Sequence, residues 1–183
     1  MMFPSLTQYF ILITIMTGMA FLALPSWLSY PPMLVYNGSQ SMTPGFYRIS
    51  LHRPKPGDTV LIRLKGNLAD LANKRRYLSS TGLLLKELSA KEGDQVCRNT
   101  QRISINGQVK AIALQYDRLG RAMPDWQGCQ ILSVNQIFVL GKHPASFDGR
   151  YFGVITYDQI AGSVRLVWAR SHQPDRKKHD PKQ

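Results

Sequence analysis

From Met1 to Tyr47 the sequence contains no Asp, Glu, Lys, Arg or His. A secretory leader needs a positively charged first segment, so the absence counts against a cleaved signal peptide. It also silences the positive-inside rule, because neither flank of this segment carries a Lys or Arg. Cysteine is scarce too, with Cys97 and Cys129 as the only two. Two thiols are too few for a structural zinc site, and His52, His143, His172 and His179 form no HExxH or similar cluster. No metal and no cofactor is expected. There is no zinc-finger spacing, helix-turn-helix pattern or RNP-like motif, which argues against nucleic acid as a partner. An S-x-x-K pair, as used by penicillin-binding enzymes, is also missing. GDTV at 57–60 and GDQV at 93–96 echo each other, but two copies of a turn do not make a repeat protein.

What is present divides sharply. All 23 Lys and Arg residues follow Tyr47, in a chain of 183 residues with a formal charge of +12. An uncharged segment joined to a basic one predicts a membrane anchor followed by a domain beside anionic headgroups. Gln8 to Leu28 is apolar enough in sequence, and long enough, to be read as a transmembrane helix, with Trp27 and Tyr30 as interfacial anchors. A cleaved signal-like segment is the alternative. Pro31-Pro32 stiffens the exit. For the two cysteines, an exported domain predicts a disulfide, and the alternative is a pair of buried thiols.

Beyond Pro32 the pattern is that of short strands. They are predicted at 33–36, 46–51, 59–64, 83–88, 136–141, 151–155 and 163–168, with an Asn-Gly hairpin over 102–110. Asn67 to Ser79 is the one good helix candidate, with Leu68, Leu71, Ala72 and Leu78 on one stripe. The fold class is therefore mainly β, a bent antiparallel-sheet domain with one helix, preceded by one N-terminal transmembrane helix. Its parts are an anchor at 1–30, a domain at 31–170 and a basic disordered tail at 171–183.

A serine can attack a carbonyl without histidine if a lysine amine is neutral enough to take its proton, and desolvation lowers a lysine pKa in this way. Lys86 lies in LLLKEL, where strand alternation puts it on one face with Leu84 and Leu88. Read alone, it is an edge lysine facing solvent, the commoner arrangement. Ser41 sits between a strand and a Pro-Gly turn, and Ser39 two positions earlier could join its backbone N–H around an oxyanion. Read alone, both are ordinary turn serines.

GSQSMTPGFYRI (38–49) resembles the S-x-S-M-x-P box of type I signal peptidases. LLLKELSAKEGDQV (83–96) resembles their lysine box, and LGKHPASFDGRYFGVI (140–155) their third box. The resemblance implies a signal-peptidase-like fold and a Ser/Lys peptidase. Ser41 would be the nucleophile, Lys86 the general base and Ser39 an oxyanion-hole side chain. Ser146 would orient the lysine, with Asp148 and Arg150 as a supporting ion pair. Asp148 also has the sign to hold the lysine charged, against that role.

The GDQVCRN, INGQ and WQGCQILSVNQIFVLGKHPASFDGRYFG segments are most similar to the conjugative-transfer (TraF-type) branch, both cysteines included. That likeness implies a single-pass inner-membrane protein with its catalytic domain in the periplasm. Its substrate would be the pilin precursor of a conjugative type IV secretion system, with other pilus-assembly proteins as partners. The acyl-enzyme would be resolved by water or, with cyclisation, by the pilin's own amine. The chain departs from the family pattern at Lys142, at Gly149 between Asp and Arg, at Glu87 after the lysine, and in lacking a Pro before Gly93-Asp94. A general preprotein signal peptidase and a non-catalytic pilus-assembly scaffold are the alternative functions.

Overall fold

The computed structural model describes residues 5–27, 34–50, 52–78 and 81–170. The predicted tail at 171–183, the Pro31-Pro32 exit and Tyr30 lie outside the described residues. The chain forms two compact units, Met1–Met33 and Leu34–Gln183.

The first unit is helix α1 (Leu6–Trp27). The transmembrane helix expected from the sequence falls on this segment. Among the described residues no helix is long and apolar enough to cross a membrane. Its described part carries Thr7, Gln8, Thr14 and Thr17 among apolar side chains, and Thr14 and Thr17 turn their hydroxyls back onto the carbonyls of Phe10 and Ile13.

The described residues of the second unit form eleven strands. A seven-stranded sheet runs in the order β1 (Leu34–Asn37), β2 (Gly45–Ser50), β11 (Ile160–Ala169), β3 (Thr59–Ile62), β4 (Leu84–Ala90), β9 (Gln136–Leu140) and β10 (Ile155–Thr156). Between β4 and β9 the chain makes a four-stranded sheet in the order β7 (Gln108–Ile112), β6 (Arg102–Ile105), β5 (Gln95–Asn99) and β8 (Gly128–Ile131). Every strand pairing is antiparallel. Register shifts in β11 and β4 bend the large sheet, as bulges do.

Three apolar clusters hold these layers. One gathers Val60, Ile62, Leu84, Leu88, Ile137 and Val139 from the large sheet under Phe147, Tyr151 and Phe152. A second seals the two sheets together through Val96, Ile103, Leu132 and Phe138. A third packs Met42, Tyr47, Leu61, Leu85 and Val164 beneath the β1–β2 connection.

Several sequence expectations are met and others change. The Asn106-Gly107 turn, with φ of 49° and 78°, closes the β6–β7 hairpin. The predicted helix at 67–79 is the shorter α2 (Gly66–Lys74). The chain leaves it through a Schellman motif, Tyr77 N–H donating to Ala72 O at 2.8 Å and Arg76 N–H to Asn73 O at 2.9 Å. The strand expected at 151–155 is instead helix α3 (Gly149–Phe152) followed by the two-residue β10. Asp148 caps α3 by accepting from Arg150 N, and Gly153 at φ 73° ends it, so capping overrides the β propensity of Tyr151 and Phe152. Beyond α1, the described residues of the domain hold two α-helices, α2 and α3, where one was expected.

Candidate active site

The site starts with Asn37, the last residue of β1. Its buried side chain donates from Nδ2 to the carbonyls of Ser39, Met42 and Thr43 at 3.1–3.2 Å. Its Oδ1 accepts from Ser39 N at 3.1 Å and from Ser39 Oγ at 2.8 Å. Three carbonyls facing Nδ2 fix which end of the amide is the acceptor. One side chain thus winds residues 38–43 into a compact loop. Met42, 3% exposed, plugs that loop into the third cluster between Leu61 and Leu85. Ser41 is left half-buried, with its Oγ 2.8 Å from Ser39 Oγ. Because Oδ1 of Asn37 only accepts, Ser39 gives its proton to Asn37 and accepts the proton of Ser41.

Lys86 lies in the middle of β4, paired with Val60 of β3. β4 is an interior strand with β9 on its other side, so the edge-strand alternative does not hold. Leu84 and Leu88 share its face and are buried, and Lys86 itself is 2% exposed. Burial disfavours the ammonium and lowers its pKa from 10.5 to about 8. Desolvation is the largest influence and sets the direction, opposed by the Asp148 charge and assisted by the Arg150 charge.

The loop after β9 supplies the third wall. Lys142 N–H donates to Ser41 O at 2.8 Å, tying this loop to the serine loop. Asp148, fully buried, accepts from Gly141 N at 2.7 Å and from Arg150 N at 3.1 Å. Burial pushes its carboxyl up, opposed by Arg150, Lys86 and those two N–H groups. Arg150 Nη2 lies 3.5 Å from the Asp148 carboxylate and donates to Gly141 O at 2.7 Å. Its Nη1 donates to His143 O at 3.0 Å and Pro144 O at 2.7 Å. Asp148 and Arg150 therefore hold the 141–148 loop by its backbone. Ser146 Oγ is buried with no hydrogen-bond partner among the described residues, which leaves it available to a group in the cleft.

Ser39, Ser41, Lys86 and Ser146 all line one cleft of about 670 Å³. All four sequence-derived cleft residues thus meet, while Asp148 and Arg150 lie behind the wall. Cys97 and Cys129 are joined by a disulfide across the β5–β8 pair, on the small sheet. Residues not singled out from sequence include Asn37, whose one signal is an Asx residue two before a turn serine. Another is the buried Arg98 of β5, which donates to Arg150 O at 2.6 Å and pairs with Asp125 at 3.0 Å. No His, Cys, Asp or Glu cluster among the described residues could hold a metal ion.

Comparison with known proteins gives this geometry a family. A plasmid transfer protein TraF from Escherichia coli is 28% identical over 142 residues, covering 72% of this chain and 80% of its own length. A second Escherichia coli protein of the same description is 29% identical over 93 residues, covering 48% of this chain and 52% of its own. A signal peptidase I from Enterococcus faecalis V583 is similar in structure over 63% of this chain and all of its own, at 18% identity and a TM-score of 0.38, too low to carry an argument about the site. The model of the signal peptidase family, peptidase S26, matches residues 6–169. That match takes in the serine loop, the lysine strand and the 141–153 loop together, and the chain belongs to the signal peptidase family, peptidase S26.

Proposed function

We propose that the protein is a Ser/Lys endopeptidase that processes the pilin precursor of a conjugative type IV secretion system. The observation that carries the dyad is a lysine 2% exposed, with its pKa lowered to about 8, lining the same cleft as a half-buried serine. Neutral Lys86 takes the Ser41 proton as Ser41 Oγ attacks the substrate carbonyl. Ser39 turns its proton from Asn37 to the forming oxyanion, beside the Ser41 backbone N–H. Ser146 Oγ orients the amine, which then protonates the leaving nitrogen. Water resolves the acyl-enzyme, or the pilin's own amine does so and closes a ring.

Support for the pilin substrate comes from the relatives described as plasmid transfer proteins. A periplasmic location is supported by the disulfide, which persists in oxidising compartments. Association with the inner membrane is supported by the apolar side chains exposed along β1, β2 and β11, among them Leu34, Tyr36, Phe46, Val167 and Trp168.

Mass spectrometry of the pilin from membranes tests the reading, comparing wild type with Ser41→Ala, Lys86→Ala and Ser146→Ala. Intact precursor in the first two variants is the expected result. A wild-type product lighter by one water than the linear form marks cyclisation. Normal processing by both Ser41→Ala and Lys86→Ala sinks the peptidase mechanism and favours a scaffold.

A further inference from the structure

At the end of α2, Arg76 occupies the position of the Schellman motif that lies in the left-handed region, with φ of 58°. That position is the one where glycine or asparagine is normally found, because a side chain there crowds the backbone. A long side chain kept in an unfavourable conformation directs attention to what it reaches. Arg76 lines the cleft that holds Ser41 and Lys86, and so does Arg118 from the loop between β7 and β8. Both are exposed, and neither takes part in any of the ion pairs among the described residues.

The acid next to Arg118 in sequence is already engaged. Asp117 accepts from Tyr77 Oη at 2.6 Å and from Arg121 Nε at 2.7 Å, and from the backbone N–H groups of Leu119 and Arg121. Arg75 is likewise turned away, donating to Ala122 O at 2.8 Å. No Asp or Glu lines the cleft, whose other basic residues are His143 and the buried Lys86. An adjoining cavity of about 350 Å³ shares Arg76, Tyr77, Arg118 and Phe147 with it, so the two arginines stand where one space opens into the next.

We propose that Arg76 and Arg118 form a subsite for acidic side chains, so that the peptide crossing this cleft carries Asp or Glu near its scissile bond. The inference rests on the peptidase reading and deepens it by naming a substrate class. The α2 end and the β7–β8 loop hold two guanidinium groups unpaired in the free protein, and a carboxylate completes them when substrate is bound.

The test uses the full chain and internally quenched decapeptides with an Ala-X-Ala core, each position outside the core carrying Glu, Gln or Lys in turn. At about 50 mM salt, at least one position should favour Glu over Gln in kcat/KM by roughly 3- to 10-fold. Raising salt to about 0.5 M should bring that ratio toward one. The Arg76→Gly/Arg118→Ala protein should lose the ratio, and Arg76→Lys should keep part of it. Arg76→Gly alone should raise the melting temperature, since glycine suits the left-handed position. A merely structural arginine would not give that combination of higher stability and lost selectivity. Anisotropy of the labelled peptides on Ser41→Ala protein reads the subsite without cleavage, and the Glu peptide should bind more tightly than the Gln peptide. Equal binding of the two overturns the subsite. Glu-selective binding by a wild-type protein that cleaves no peptide keeps the subsite and strikes at the peptidase reading instead.

Discussion

Replacing Lys86 by Met should make the protein inactive and more stable. In the native state Lys86 is enclosed among Leu84, Leu88 and their neighbours, and its pKa falls from 10.5 to about 8. In the unfolded chain it is hydrated and holds its proton up to about pH 10.4. A difference of that size corresponds to roughly 3 kcal/mol of unfavourable burial of the charged form. Below about pH 8 both states are protonated and the whole penalty is present. Between about pH 8 and 10.5 the unfolded state binds more protons than the native state, so stability rises with pH across that window. Methionine has a similar length and no charge to bury, and the Asp148 carboxylate keeps Arg150 as its partner.

Lys86→Met should therefore stabilise the fold at pH 7 by about 3 kcal/mol, or roughly 6–12 °C in melting temperature for a chain of this size. The gain should shrink steadily from pH 8 to 10. Urea unfolding of both proteins at pH 7, 8, 9 and 10, followed by tryptophan fluorescence, measures it. A variant less stable than wild type at pH 7, or a stability gap that stays constant to pH 10, would refute the claim that desolvation governs this lysine.

The same titration shapes the rate. For wild type, kcat/KM should climb about tenfold per pH unit below about pH 8 and level off above it, because the proposed mechanism uses the neutral amine; a pH–rate profile that is flat from 6 to 9 contradicts this. Asn37→Ala removes all five hydrogen bonds that wind the serine loop, so chemical denaturation should show a loss of about 2–3 kcal/mol, with kcat falling more than KM changes. In Gly141→Ala the new methyl would run into the Ser146 side chain and approach Ser41 O to 3.1 Å, so kcat should drop about 100-fold while circular dichroism remains that of a folded β protein. Reducing Cys97–Cys129, which are 32 residues apart, should cost about 3 kcal/mol in urea yet leave activity in buffer, since neither cysteine lines the cleft.

The parts of this site legible in sequence are those that local pattern determines. Asn106-Gly107 reads directly as a hairpin. The lysine among leucines at strand spacing becomes a buried-amine candidate only together with the motif likeness, and the interior position of β4 settles its burial. The strands β5 and β8 that carry the two cysteines are not predicted as strands: β8 is exposed throughout and shows no alternation, and one of the two inward positions of β5 is a buried arginine, Arg98, which hides its alternation in residue type. The Tyr151–Phe152 pair reads as strand by propensity, yet α3 forms because a carboxylate seven residues beyond Gly141 both caps it and holds Gly141 N. Gly149 looked like a departure at the site and is a packing necessity: a Cβ there would meet the Phe138 ring at 2.6 Å and Val139 O at 2.7 Å. Asn37 stayed hidden because its partners are backbone carbonyls, which leave no trace in residue identity. Arg76 stayed hidden because only the backbone shows that its φ is positive.

The sheet order separates the two halves of the proposed dyad by more than function. Lys86 rides on β4, clamped between β3 and β9, whereas the Ser41 loop hangs from β1 at the margin of the same sheet. Interior strands open only when the whole fold opens, while marginal strands fray at much lower free energy. Heat should then silence this molecule in two stages, the nucleophile loosening first while the base remains locked in an intact sheet. Such damage heals on cooling, because the core that templates the loop has never come apart.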